Sequence, residues 1–319
     1  MTSYFDAFYG QVEITEPVLN KLIASQSVTR LMGIGQFGIP DRYYHIKGFS
    51  RHDHSLGVLF CLRQLGASVD EQAAGLLHDV SHTAFSHLID WVMGNNVKED
   101  YQDNRHHQFF DPGTELAEIL SRHGLQPEKI AQHENYTLLE CPAPDVCADR
   151  FDYAIREFSV ETAKGAIKNI TNINGQMVFR DQTGALSFAE AYLELQQKHW
   201  GGREAVTRYH IFAHLMRIAI KTGVITLADF DQDDEVVMKK IESSDNKIIS
   251  EWLEILSHKQ LPLFDNRPNV IANRKFRYVD PLFLKGDKIE RLSEHGVNFK
   301  NKLAQARIDN EKGIAVPKL

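Results

Sequence analysis

Residues 75–87 read G-L-L-H-D-V-S-H-T-A-F-S-H and pack His78, Asp79, His82 and His87 into ten positions. Neighbouring imidazole and carboxylate groups can share one metal ion. His82 and His87 are then left for proton transfer or phosphate contacts beside it. The apolar run A-A-G-L-L over 73–77 predicts a helix leading into the dyad, and His82 follows His78 by about one helical turn, as a site anchored on a rigid element requires. The dipeptide alone decides nothing. Chance gives roughly one His-Asp pair in a chain of this composition, and two occur, His52-Asp53 and His78-Asp79. A divalent ion held by two neutral imidazoles and two carboxylates is formally charge-balanced, and such ligands suit Fe, Mn, Zn or Ni better than Ca. His54 and Asp149 are the best-placed candidates for the imidazole and carboxylate that the dyad lacks.

The rest of the chain limits the function classes. At 319 residues it is long enough for two domains, or for one large domain with a smaller C-terminal unit. Hydrophobic residues make up 43% and charged residues 25%, ordinary for a globular protein, and no apolar run approaches the ~20 residues of a membrane span. The N-terminus lacks the basic and apolar regions of a secretory signal, so a soluble cytoplasmic protein is expected. Cys61, Cys141 and Cys147 have no zinc-site spacing and predict buried thiols in a reducing compartment. A net charge of -7 with no Lys/Arg stripe argues against an extended nucleic-acid surface. A small anionic substrate stays open.

Gly and Pro punctuation predicts helices over 55–65, 70–80, 84–93 and 112–123, the last with Asp111 as N-cap and Pro112 at its first position. Residues 95–110 read as a long polar loop. Pro144 can open a helix in which Cys147, Phe151, Ala154 and Phe158 form a buried stripe, while Asp149, Asp152, Tyr153 and Arg156 share the opposite face. Asn174-Gly175 predicts a tight turn inside a β excursion over 166–188, with a second turn near Thr183-Gly184. Helical patterns return at 189–200, 203–222 and 233–258, with Thr226-x-x-Asp229 as a start signal. The expectation is a mainly α fold: a helical core over 1–258 and a small mixed α/β subdomain over 259–319, its strand ending at Pro281 and its polar helix at 287–308. The Lys and Arg residues of that tail are read as solvated surface.

Several segments together resemble the HD-domain phosphohydrolases, and within them the deoxynucleoside triphosphate triphosphohydrolases of the sterile-alpha-motif/HD type. They are F-Y-G-Q-V-E-I-T-E-P from Phe8, V-T-R-L-M-G-I-G-Q-F-G from Val28, S-R-H-D-H-S-L-G-V from Ser50, L-L-H-D-V-S-H-T-A-F-S-H from Leu76, C-A-D-R-F-D-Y-A-I-R-E from Cys147 and K-F-R-Y-V-D-P from Lys275, in the family's order. The resemblance implies an HD-domain helical bundle in which His54, His78, Asp79 and Asp149 ligate one divalent metal. It implies His82 as the catalytic histidine, Asp90 as the carboxylate supporting it, and a loop histidine that is His107 or His106, with His107 favoured. Arg51, His87 and Arg150 would meet phosphate, while Gln36, Phe37, Tyr153 and Tyr209 would meet the sugar or base. The sequence departs from the family at Asp6-Ala7-Phe8-Tyr9-Gly10, at Thr29-Arg30-Leu31-Met32, at Ala205 and at Glu157. The family also implies assembly as a homo-oligomer, dimer or higher.

The expected chemistry follows from these groups. A metal lowers the pKa of bound water toward ~7, arginine gives bidentate contacts to phosphate, and His82 moves a proton. The foremost expectation is a nucleotide phosphohydrolase splitting a dNTP into nucleoside and tripolyphosphate, with Mg accompanying the nucleotide. A phosphodiesterase or nucleotidase of the same superfamily, and a non-catalytic metal- or nucleotide-binding module, are the alternatives.

Overall fold

The computed structural model describes every residue except 1, 96, 262, 263 and 265–267. It is mainly α, with a few small sheets. The helix Arg51–Gln64 runs through the centre and is buried on nearly all sides. It opens at a capping box: the Ser50 hydroxyl accepts from the Asp53 N–H while the Asp53 carboxylate accepts from the Ser50 N–H, at 3.0 and 3.1 Å. Asp53 is therefore committed to a helix cap, which separates the two His-Asp dipeptides. The cap also starts this helix four residues before the expected 55 and places His54 in its first turn.

Two glycines set how closely the neighbouring helices approach. A side chain on Gly75 would overlap Leu62, so the helix Val69–Leu77 seats directly on Arg51–Gln64. A side chain on Gly57 would overlap the Asp152 carboxylate and the Arg156 guanidinium, so the helix Ala148–Ile155 can press its charged face against the same helix from the other side. The dyad and Asp149 thus arrive at His54 from opposite directions.

Several expected boundaries shift for local reasons. The dyad helix stops at Leu77 instead of 80, because the Arg30 guanidinium takes the Val80 and His82 carbonyls at 2.9 and 2.7 Å and draws that backbone into a turn. The next helix is Leu88–Met93, not 84–93, since Phe85 and Ser86 adopt left-handed φ of 62° and 53°. The expected loop 95–110 contains a short helix, Asp103–His106, and a tighter turn, His107–Phe110; its residue 96 lies outside the described residues. Thr114, not Asp111, caps the helix Glu115–Arg122, and the Glu115 carboxylate accepts the Gln26 and Ser27 N–H groups. Pro144 opens no helix: Arg150 donates to the Cys141 and Asp145 carbonyls at 2.6 and 3.1 Å, fixing 141–145 as a loop, and the helix begins at Ala148.

Strands β1 (Thr2–Asp6) and β2 (Gly10–Ile14) pair at the N-terminus. The β excursion forms as expected around Asn174-Gly175, as β3 (Ile170–Ile173) and β4 (Gln176–Phe179). Thr183-Gly184 makes no turn; both residues lie in the helix Gln182–Leu195, capped by Asp181. The pattern over 233–258 is two helices, Asp234–Glu242 and Lys247–Ser257, the second capped by Asn246. In the tail, β5 (Asn269–Ala272) ends well before Pro281 and pairs with β8 (Ile314–Pro317). Strands β6 (Leu282–Lys285) and β7 (Lys288–Arg291) precede the polar helix Val297–Glu311, and the part of the tail at 262–263 and 265–267 lies outside the described residues. Strand β6 joins β4 in parallel at Phe179 and Phe283, so hairpin and tail share one sheet of order β3-β4-β6-β7.

The apolar interior forms two clusters. One surrounds Arg51–Gln64, the other the helix Arg203–Lys221, with Phe37, Tyr44, Phe85 and Tyr209 in the second. The cavity described below opens at the seam between them.

Candidate active site

His54, His78 and Asp149 bring one potential ligand atom each to within 4.8 Å of one another. Asp79 completes the cluster, its carboxylate oxygens 3.5 Å from His78 Nε2 and 3.9 Å from His54 Nε2. Both imidazoles are oriented from behind. His54 donates Nδ1–H to Asp152 at 2.8 Å, and His78 donates Nδ1–H to the Gly75 carbonyl at 2.7 Å. Each ring therefore turns Nε2 inward, the arrangement metal-ligating histidines use. His78 Nε2 is buried with no hydrogen-bond partner, and an orphaned nitrogen facing a carboxylate pair is what a metal-binding position shows. The donor set, two imidazoles and two carboxylates, fits one divalent transition metal.

The electrostatics agree. Burial alone would lower the pKa of His78, yet Asp79 and Asp149 overcome it and raise the value to about 9. His54 is raised against burial by Asp149 and Asp152. Asp149 and Asp79 are held far below the usual carboxylate range, against burial, by the histidines and, at Asp79, first by Arg51. Without a metal the cluster attracts protons to the sites a cation would take.

The cluster faces a cavity of about 910 Å³. Most residues expected at the site line it; His54 and Asp90 lie behind its wall. Arg51 donates to Asp79 and to the Ser86 hydroxyl, both at 2.7 Å. His82 Nε2 stands 3.2 Å from Asp79, and its ring meets that of His87 edge-on at 4.8 Å. Burial, then Arg51, lowers His82 to about 4; burial dominates an equal lowering of His87. That lowering favours the neutral imidazole, which keeps one ring N–H and can accept a proton at its other nitrogen. Gln36 and Phe37 line the opposite wall beside Tyr209, whose hydroxyl donates to the Phe37 carbonyl. Tyr153 shares a hydrogen bond with Tyr192.

Three placements differ from the reading of the sequence. Asp90 sits 3.7 Å from His87 Nδ1 and accepts from the Tyr101 N–H, so it supports His87 and not His82. His107 is exposed at the cavity rim, whereas His106 is buried, its Nδ1 3.3 Å from the Ser81 hydroxyl and its ring 4.8 Å from that of His133. A helical turn points consecutive residues in different directions, and here His106 takes the inward one. Arg150 lines the cavity, but its guanidinium is engaged by the Cys141 and Asp145 carbonyls and by Glu140 at 3.0 Å, which gives it a loop-fastening role. The tail is also no mere solvated surface, since Arg274, Lys275 and Arg277 line the cavity.

Other contributors went unread. Asp152 lay on the right helix face, yet its spacing could not reveal His54 as its partner. Asp234 accepts the Gly35 and Phe85 N–H groups at 2.9 and 2.7 Å, tying the Gln36 loop to the Phe85-Ser86 turn. Glu157 accepts from His199 Nδ1 at 2.5 Å and from the Trp200 indole at 2.7 Å, and His199 Nε2 reaches the Tyr44 hydroxyl at 2.8 Å. No local pattern marks His133, which lies in a short 3₁₀ turn.

Comparison with known proteins agrees with this geometry. The HD domain family matches residues 51–155, the span from Arg51 to the end of the Asp149 helix. The chain is 33% identical to YdhJ of Bacillus subtilis over 98% of its length and 97% of that protein's. It is 30% identical to the metal-dependent phosphohydrolase cns2 of Cordyceps militaris over 69% of its length and 67% of that protein's. A shorter match, 30% identical over 39% of this chain and 24% of the other, is to the deoxynucleoside triphosphate triphosphohydrolase SAMHD1 of Gallus gallus. Motifs, metal-type cluster and relatives converge, and the chain belongs to the HD-domain metal-dependent phosphohydrolases.

Proposed function

We propose that this hydrolase acts on nucleoside triphosphates, foremost dNTPs, releasing nucleoside and tripolyphosphate. The observation that carries the reading is the joint placement of the His54-His78-Asp149 cluster and Arg51 at the floor of a nucleotide-sized cavity walled by Phe37, Tyr44 and Tyr209. Its volume of about 910 Å³ lies within the range typical of small-molecule sites. The short match to a dNTP triphosphohydrolase supports the same substrate class.

His54, His78, Asp79 and Asp149 would hold one divalent ion, Fe, Mn, Zn or Ni, which when bound supplies a water of lowered pKa and a Lewis acid toward phosphate. Arg51, fixed by Asp79 and Ser86, offers a positive charge at the phosphate, and Mg would accompany the nucleotide. His87, backed by Asp90, gives a further polar contact there. Neutral His82 takes up a proton as the anionic phosphate arrives and raises its basicity, and it can then deliver that proton to the leaving oxygen. His106, facing the cluster beside His133, is the loop histidine of this set. Phe37, Tyr153 and Tyr209 form the surface for sugar and base, with Gln36 as a polar contact.

Metal-replete protein incubated with a panel of dNTPs, NTPs and nucleoside monophosphates tests the proposal by product identity. Tripolyphosphate is the expected product. Phosphate release from monophosphates with no action on triphosphates refutes it.

A further inference from the structure

Arg274, Lys275 and Arg277 follow β5 and line the cavity, but they differ in electrostatic status. Arg277 donates to the buried carboxylate of Glu99, whose pKa, against burial, is held at about 2 chiefly by this guanidinium. Its charge is neutralised, and its effect is to fasten the tail to the 95–102 loop. Arg51 is matched by Asp79 and Arg150 by Glu140. Arg274 makes no ion pair or hydrogen bond to a carboxylate among the described residues, and Glu99, already held by Arg277, feels its charge only at a distance. Its guanidinium lies 4.2 Å over the Tyr209 ring and 5.9 Å from the Trp91 ring, while its Nε and Nη1 are shut off from solvent without an acceptor.

A partly desolvated cation with unmade hydrogen bonds is unfavourable until an anion arrives. A cation–π contact holds a guanidinium in place without using its N–H donors, which stay unsatisfied until an anion such as a phosphate oxygen reaches them. The Tyr209 hydroxyl donates to the Phe37 carbonyl, so the platform beneath Arg274 is itself anchored.

We infer that Arg274 binds the phosphate chain of a nucleoside polyphosphate and selects di- and triphosphates over monophosphates, with exposed Lys275 as a secondary contact. The inference rests on the nucleotide reading above and adds a recognition residue from the tail.

The test titrates full-length, metal-loaded protein calorimetrically with inorganic orthophosphate, pyrophosphate and tripolyphosphate. Wild type should bind the longer chains more tightly. R274A should weaken tripolyphosphate binding by about 10- to 100-fold, the worth of a charge-assisted hydrogen bond, and change orthophosphate binding by less than about 3-fold. R274Q keeps the stem over Tyr209 and serves as the second variant where R274A alters thermal unfolding. K275A should cost only about 2- to 3-fold, as an exposed charge contact does. A wild type indifferent to chain length, or tripolyphosphate affinity unchanged in R274A and R274Q, overturns the inference. The product assay separates the two readings. Arg274-dependent tripolyphosphate binding without triphosphate hydrolysis sinks the proposed function alone, and triphosphate hydrolysis with unchanged KM in both variants sinks the Arg274 assignment alone.

Discussion

Replacing Asp152 with asparagine tests whether the metal cluster is tuned from behind. Asp152 is fully buried, and its Oδ2 accepts from both His54 Nδ1 at 2.8 Å and Arg156 Nε at 2.7 Å. Arg156 keeps a second partner, Asp6, at 2.9 Å. Breaking a buried ion pair costs about 3–5 kcal/mol, and with Asp6 still in place the loss should fall near the low end, about 3 kcal/mol. For a chain of this size, at about 2.1 cal/mol/K of unfolding entropy per residue, that lowers Tm by roughly 4–5 °C. The second effect is specific: with its Nδ1–H no longer fixed by a carboxylate, His54 should let metal affinity fall about 10- to 100-fold. Asp6→Asn cuts only the far leg of the same network, so it should lower Tm yet leave metal affinity within about 2-fold. Chelator competition gives the affinity and scanning calorimetry of metal-free protein gives Tm. If D152N loses stability but binds metal like wild type, the orienting role assigned to Asp152 is wrong.

Further outcomes follow from other contacts. H106A should reduce kcat by about 10²-fold or more, in the range for a proton-handling group, whereas H107A should stay within about 3-fold; the reverse order in steady-state assays would restore His107. Because the metal-free cluster holds His78 at a pKa of about 9, a metal must displace that proton, so apparent affinity should fall about tenfold per pH unit below 9; a flat profile from pH 6 to 8 contradicts the ligand assignment. Burial raises Asp234 to about 7, so the folded state binds this proton more tightly than the unfolded chain. Its stabilising contribution is present at low pH and is lost as pH rises from about 4 through 7, at up to ~1.4 kcal/mol per unit. In D234N, denaturant unfolding should show a flatter decline across that window, and an unchanged slope refutes the shift.

The sequence carried the cluster well and its surroundings poorly. His78 and Asp79 stood out in a histidine-rich segment, His54 and Asp149 became ligands only through the resemblance to the HD-domain family, and the structure brings these four together. The choice between His106 and His107 depended on the phase of a four-residue helix inside a polar stretch, where no apolar periodicity sets the inward face. Asp90 was assigned by its place in a motif, but the left-handed Phe85 and Ser86 rotate the following helix and hand its carboxylate to His87. The role of Arg274 was invisible for a different reason: a basic residue in an extended tail looks solvated until a partner such as Tyr209, 65 positions earlier, is known to lie beneath it. The β4–β6 pairing that brings the tail back is likewise long-range, and no local signal encodes it.

That pairing bears on the order in which the protein is made. Synthesis delivers every residue of the metal cluster by Asp149, while the basic part of the cavity wall, Arg274, Lys275 and Arg277, follows only after β5. The ligands of the cluster are thus all synthesised before the basic wall that faces them, and the Glu99–Arg277 contact joins the two across 178 positions.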